Sequence, residues 1–555
     1  MIYFCLTLLM FLGFGFVNKN DTIMKREQHI ERIADSSITW DIIVVGGGAT
    51  GIGVAVDAAA RGFNVALLEQ SDFTKSTSSR STKLVHGGVR YLAQGDVGLV
   101  VEALRERGLM RKNAPHLVEN QQFIIGAYRW WEKPFYAIGL TLYDLLAAGK
   151  SLGRSFSMSK KDVIRYIPQI STNSLCGGIV YHDGQFDDSR MAISLLQTAV
   201  DIGATIANYV KVTGLLKGTN DKVCGVEAFD EVSKRSYTIQ AKSVINATGV
   251  FVDSIMKMDA PGKDNIVRPS QGVHLVVDKS FLGGDTAIMI PKTSDGRVMF
   301  GVPWHGKVVL GTTDTPVNDF LLEPKALDEE VDFILKTAGQ YLLRQPTKED
   351  VLSVFAGLRP LAAPRGIVDG KKTKEISRSH KIVVSDSGLL TITGGKWTTY
   401  RSMAEDAVNR VISICKLPQR RCATRDLRIH GYKRDVDRSN FSYVYGSDYQ
   451  KIEQIGEERP EYEGLLHPDM DFTIAEVVWA VREEMAITVE DVLSRRLRAT
   501  FLDVRSAIDS AAKVASIMAK EMNKDEEWER QEVEYFTSLA QDYLLVPYSP
   551  QTFDY

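Results

Sequence analysis

The residues of this chain best suited to holding a charged cofactor lie near its beginning. Gly46-Gly-Gly-Ala-Thr-Gly51 has the spacing G-x-G-x-x-G, and Glu69 closes the apolar run that follows. In that spacing Gly46 permits a tight turn, Gly48 lets backbone amides approach a pyrophosphate, and Gly51 lets a helix pack closely on a strand. The Glu69 carboxylate stands where a ribose hydroxyl is held, which disfavours a 2′-phosphorylated dinucleotide. Two distant stretches carry small and hydroxylated residues that suit a chain lying along an extended cofactor. One is Ser76–Leu92, with Ser79 and Thr82 as candidate contacts; the other is Gly388–Arg401, with Gly394, Gly395 and Thr398. A third, Ser243–Gly249, ends in the small-residue turn Ala-Thr-Gly249.

Such residues need rigid elements behind them. Asp41-Ile-Ile-Val-Val45 is a short, β-branched apolar run, the pattern of a buried parallel strand. Ile52, Ala55, Val56 and Ala59 fall on one helical face, Gly62 is a helix stop, and Asn64-Val-Ala-Leu-Leu68 is a second strand. Strand, glycines, helix, strand and acid in that order make one dinucleotide-binding unit. The Gly388 stretch predicts a strand, a Gly-Gly turn and a helix beginning near Trp397. Its N-terminal amides and dipole would favour the negative charge of a reduced flavin. Asp183–Arg190 predicts a turn in which Asp188 or Ser189 caps the amphipathic helix Met191–Val200. The three aspartates there lack the further ligands of an oxygen cage, so no metal is expected.

Composition sets outer bounds. A chain of 555 residues exceeds one compact core, and about two to four domains are expected. A net charge of −3 leaves no footprint for nucleic acid. Five cysteines do not make a disulfide scaffold, and Cys415 and Cys422 have no partners to complete a zinc site. Residues 2–17 are almost entirely apolar, short for a membrane span and preceded by no cation, before Met24 opens a charged amphipathic stretch. The preferred expectation is that Met24 is the natural start and 1–23 an upstream extension; the alternative is an anchor.

Taken in order, DIIVVGGGATG, STKLVHGGVRYL, YHDGQFDDSR, VINATGV, GTTDTP, AGLRPL and TGGKWTTYR resemble the FAD-dependent glycerol-3-phosphate dehydrogenases, from about Met24 to Leu545. The chain looks most like the bacterial form, since no D-x-D-x-D-G calcium loop follows. The resemblance implies FAD as cofactor. It also implies oxidation of sn-glycerol 3-phosphate to dihydroxyacetone phosphate, with hydride leaving C2 for flavin N5. The implied fold is α/β: a Rossmann-like FAD-binding domain of glutathione-reductase/D-amino-acid-oxidase type, an inserted antiparallel-sheet substrate domain and a C-terminal α-helical domain. By that analogy the FAD-binding domain takes 38–111, 179–261 and 379–428, the substrate domain 112–178 and 262–378, and the helical domain 429–555.

Arg90, Arg359 and Lys396, with Tyr91 beside them, are implied as a phosphate clamp, for which a guanidinium fork is well shaped. His86 and His274 are the candidate bases, because imidazole titrates near the working pH; Arg359 stabilising the alkoxide while water takes the proton is the other option. The resemblance further implies electron transfer to membrane quinone from a cytoplasmic enzyme lying on the membrane surface, in contact with lipid and not spanning it. A homodimer is left open. Tyr128–Leu140 reads either as an interfacial patch or as a helix burying Trp130 and Trp131 between domains. Arg495, Arg496 and Arg498 read as lipid-phosphate contacts or as ion pairs. The rival functions are an oxidase passing electrons to oxygen and an amino-acid oxidase on the same fold; three clamp cations argue against the latter.

Overall fold

The computed structural model describes residues 24–93, 95–147, 149–294, 296–362 and 379–549. Segment 1–23, and with it the start-or-anchor question, lies outside the described residues, as does the side chain of Arg90. The glycine-rich turn leaves the strand Ile42–Val45, which sits inside a six-stranded sheet. Across that sheet the order is His380–Val384, Leu390–Gly394, Val244–Asn246, Ile42–Val45, Val65–Leu68, Thr205–Ala207. The neighbours of Ile42–Val45 on both sides run parallel to it.

Period-two alternation explains why the run is apolar throughout. Ile42 and Val44 face a core built with the helices Ala49–Ala60, Asp188–Asp201 and Tyr400–Ile414. Ile43 and Val45 face a second core under a four-stranded sheet that contains Val210–Lys217, Val223–Asp230 and Arg235–Ala241. Both faces of the strand are covered, so no polar position is left.

The second large element is a ten-stranded sheet in which Val267–Asp278 pairs with both Lys307–Gly311 and Val351–Ala362. It is antiparallel except where Ala287–Ile290 runs parallel to Glu119–Ala127. The strands Leu84–Val85 and Gly177–Gln185 belong to it. The expected boundaries at 111/112 and 178/179 therefore need correction, because sheet pairing carries both strands over to the substrate side. Beyond residue 429 helices dominate, among them Tyr449–Glu458, Ile474–Glu483 and Val504–Met522. Their core reaches Val276, Trp304 and Phe355 on the back of the ten-stranded sheet.

Several local expectations are corrected. Asp187, not Asp188 or Ser189, caps the helix Asp188–Asp201, accepting from Arg190 N at 2.9 Å. Trp130 is 82% exposed and Trp131 42%, so the helix Glu132–Leu146 does not bury them between domains. Arg495, Arg496 and Arg498 are fully buried in ion pairs and cannot reach lipid.

Candidate functional site

A cavity of about 340 Å³ runs across the carboxyl ends of the parallel strands and on toward the ten-stranded sheet. At one end lies the glycine turn. Gly46 has φ 109°, in the region glycine favours, and a Cβ there would meet Ala247 O at 2.8 Å. A Cβ on Gly51 would lie 1.9 Å from Gly46 O, so only glycine lets the helix Ala49–Ala60 begin against the strand. Gly46 and Gly48 line the cavity and Gly51 supports them from below. Glu69 lines the cavity too, its carboxylate accepting from Gly47 N at 2.6 Å and Ser71 N at 3.0 Å. Desolvation pushes its carboxyl up to about 7 despite those two amides.

The middle of the cavity is walled by Ser76, Thr77, Ser78, Gly249 and Trp397. Ser78, not Ser79, lines the cavity, and its Oγ accepts from Ala49 N at 2.9 Å. Ser79 is buried behind this wall with its hydroxyl turned to Ser76 O and does not line the cavity. At the far end Gly394 and Gly395 (φ 80° and 79°) make the turn before Thr398, whose hydroxyl bonds His86 N at 3.2 Å and His86 O at 3.3 Å. One sequence stretch from each half of the chain is thus tied together at His86.

A second cavity of about 190 Å³ opens over the ten-stranded sheet, lined by Tyr91, Phe123, Tyr181, Met289 and Phe300 and by polar groups at its rim. Thr82, Leu84, His86 and Arg359 line both cavities. Arg359 is held by Asp314 Oδ1 at 3.2 Å, Thr312 Oγ1 at 3.0 Å and the carbonyls of Gln271 and Thr313 at 3.2 and 3.0 Å. Lys396 Nζ lies 3.8 Å from the centroid of the Tyr91 ring, a cation–π contact joining two of the expected clamp residues. Arg90 itself has its side chain outside the described residues.

His274 is buried, stacked on Phe355 at 4.9 Å, with Nε2 2.8 Å from Thr82 Oγ1. Burial, then the charges of Lys83 and Arg359, hold its pKa well below the ordinary imidazole value. Sequence reasoning passed over three residues of this region. Arg297 lines the second cavity beside Asp314 and Arg359; the signal for it was a cation placed between an Asp-Gly turn and a strand. Asp183 lines the same cavity, its charge met by Arg107 at 2.5 Å and Tyr143 Oη at 2.8 Å. Lys83 is wholly buried against Asp188 at 2.8 Å, which no local pattern announces. Among the described residues no group of side chains could hold a metal ion.

The glycine cradle, the free amides at a helix start, the acid at the strand end and the length of the larger cavity fit an adenine dinucleotide such as FAD. Comparison with known proteins agrees. A family model described as FAD dependent oxidoreductase matches residues 41–401, and one described as the C-terminal domain of alpha-glycerophosphate oxidase matches residues 390–529. The chain is 37% identical to the mitochondrial glycerol-3-phosphate dehydrogenase of Schizosaccharomyces pombe, over 94% of this chain and 89% of that one. It is 37% identical to the Homo sapiens mitochondrial protein of the same name, over 92% of this chain and 74% of the other. The solved glycerol-3-phosphate dehydrogenase of Bacillus halodurans, complexed with FAD, superposes with a TM-score of 0.77 at 28% identity, covering 95% of this chain and 99% of that one.

Proposed function

We propose, for a chain that belongs to the FAD-dependent glycerol-3-phosphate dehydrogenases, that it oxidises the C2 alcohol of sn-glycerol 3-phosphate in the smaller cavity and passes the electrons to a membrane quinone. The observation that carries this is the junction: Thr82, Leu84, His86 and Arg359 are shared by a cavity long enough for FAD and one small enough for a three-carbon phosphate. FAD, bound in the larger cavity, supplies the hydride acceptor.

The chain's own residues do the rest. The start of helix Ala49–Ala60 holds the pyrophosphate and Glu69 a ribose hydroxyl. Arg359, Lys396 and Arg90 balance the substrate's dianion, and Arg359 is pre-aimed by Asp314 and two threonines. His86 stands at the junction, where it takes the hydroxyl proton as hydride leaves C2. His274, neutral and packed on Phe355, sets the position of Thr82.

The route out is a helix face. Trp131, at the N-cap, and Phe135, Ile138, Leu142 and Leu145 of the helix Glu132–Leu146 are all exposed and recur along one stripe, with Ile138 73% and Leu145 72% exposed. So wide an apolar stripe, flanked by Arg129 and Lys133, suits the interface of an anionic bilayer. The inner face of the same helix reaches the site, because Tyr143 Oη accepts from Gly87 N and donates to Asp183, both at 2.8 Å. No helix among the described residues is long and apolar enough to cross a membrane, so a peripheral position on the membrane surface is the arrangement proposed.

Anaerobic mixing tests the reading. sn-Glycerol 3-phosphate bleaches the flavin and glycerol does not. In Arg359→Ala half-saturation rises by about 100-fold or more, the loss expected for one partner of a buried charged contact. Reoxidation by a soluble quinone analogue and not by air marks a dehydrogenase; reoxidation by air marks an oxidase. An FAD-loaded protein that the substrate fails to bleach ends the assignment.

A further inference from the structure

The stretch Glu484–Arg498 lines neither cavity among the described residues, yet it carries a dense set of buried charges. Their partners lie in one place. Arg495 and Arg496 grip Asp72 at 2.5 and 2.8 Å, and Glu490 holds Lys75 at 2.8 Å. Arg498 donates to the carbonyl of Ser79 at 2.7 Å and to Asp188 at 3.1 Å. Lys83 Nζ donates to the same carbonyl at 2.6 Å and the same carboxylate at 2.8 Å, and Ser81 binds that carboxylate through N and Oγ at 3.0 and 2.6 Å. Segment 72–83 is thus fastened from behind at its start, middle and end. Its front, at Ser76, Thr77, Ser78 and Thr82, is a wall of the cofactor cavity.

Arg498 is the hinge of this arrangement. Separated by one residue from the π-helical turn Asp491–Arg496, it takes a left-handed conformation (φ 70°, ψ 9°), an unfavourable backbone for a side chain with a Cβ. The cost is sustained by contacts on every side: Ser494 O at 2.8 Å, Asp187 at 3.4 Å and the Phe501 ring at 4.2 Å. A guanidinium reaches the carbonyl and the two carboxylates from donors spread over a fixed planar fork, whereas an ammonium presents its three donors from a single atom.

We propose that Arg498 is a positioning residue for the cofactor: from the C-terminal helical unit it fixes the shape of segment 76–82, and that unit thereby sets the affinity for FAD. Thr82, whose hydroxyl His274 meets at 2.8 Å, lies at the end of the fastened segment, so both ends of that contact are held in place.

The test needs no substrate. Apoprotein of wild type, Arg498→Gln and Arg498→Lys is titrated with FAD by fluorescence quenching, with melting temperatures measured in parallel. Arg482→Gln is the control, since Arg482 pairs with Glu521 at 2.6 Å and Glu458 at 2.8 Å inside the same helical unit, away from the segment. Arg498→Gln is expected to bind FAD about tenfold or more weaker, as loss of charge-assisted bonds predicts, and Arg498→Lys to recover part of that. Arg482→Gln lowers the melting temperature and leaves the FAD affinity within about twofold. Wild-type affinity in Arg498→Gln overturns the proposal, and so does equal weakening in Arg482→Gln. Should Arg498→Gln not fold, Arg498→Lys and Lys83→Met are titrated instead, with unchanged affinity in both overturning it.

Discussion

Two histidines of one cavity system have different surroundings, and that separates their roles. His274 is sealed under Phe355 and faces Lys83 and Arg359, so its protonated form is disfavoured from every side. Its linkage follows. In the unfolded chain it binds a proton below about pH 6.5, the native state refuses that proton, and stability is lost as pH falls below that value. As a group neutral across the working range it contributes no acid limb to kcat/KM. If His86, at the junction of the cavities, is the base as proposed, the limb belongs to it. His86→Asn is expected to lower kcat by about 10² to 10⁴ and to remove the limb, whereas His274→Asn leaves the limb in place. A limb that vanishes in His274→Asn would transfer the role of base to His274. At this scale much was legible in sequence: His86, Thr82, Arg359, Lys396, Gly46, Gly48, Gly249, Gly394 and Gly395 line the cavities. Which serine faces the cavity was not, because a run of four hydroxyl residues, three of them in a 3₁₀ turn, does not disclose it. Lys83 was missed for another reason: it is a buried charge whose carboxylate partner, Asp188, lies 105 residues away.

At the scale of elements, periodicity finds a helix without saying which side meets the protein. Trp131, Phe135, Ile138, Leu142 and Leu145 have the spacing of a core-facing stripe, yet here that stripe is outside, and the anchoring residues are Leu140 and Tyr143. The opposite holds for Arg495, Arg496 and Arg498. They have the composition of a surface patch but are buried, since Asp72 from a loop and Asp187 and Asp188 from the start of a helix, all distant in sequence, come to meet them. If the stripe is a membrane face, replacing Phe135, Ile138 and Leu145 together by Gln removes roughly the burial of three large apolar side chains, about 1.5–3 kcal/mol each. Flotation with anionic vesicles is expected to drop by at least tenfold, with flavin bleaching by substrate unchanged. Loss of bleaching with binding intact would place the stripe in the catalytic unit instead.

For the molecule as a whole, the order of motifs specified three regions, and the comparisons bear out the fold class. The boundaries between regions were not legible, because sheet pairing ignores chain order: Leu84–Val85 joins the substrate sheet from within a stretch assigned to the cofactor domain, and Gly177–Gln185 runs across the expected 178/179 boundary. The same long-range pairing has a thermodynamic consequence. The helical unit meets the cofactor domain through buried ion pairs at Asp72, Lys75 and Asp188, and Arg190 adds a two-pronged pair with Glu484 at 2.5 and 2.6 Å. Separating the units would leave each of these charges buried or newly solvated without its partner, which is costly one by one and prohibitive together. The units are therefore expected to unfold in a single transition and to share whatever stability a cofactor confers. FAD at 100 times its dissociation constant adds about 2.7 kcal/mol to any element that opens only when the site is lost. Hydrogen exchange should then slow by about 100-fold in Ile474–Glu483 and Val504–Met522, which do not line the larger cavity, as much as in Ala49–Ala60, which begins at it. Protection confined to Ala49–Ala60, with the C-terminal helices exchanging at the apoprotein rate, would show two independently opening units and remove the basis for coupling them through Arg498.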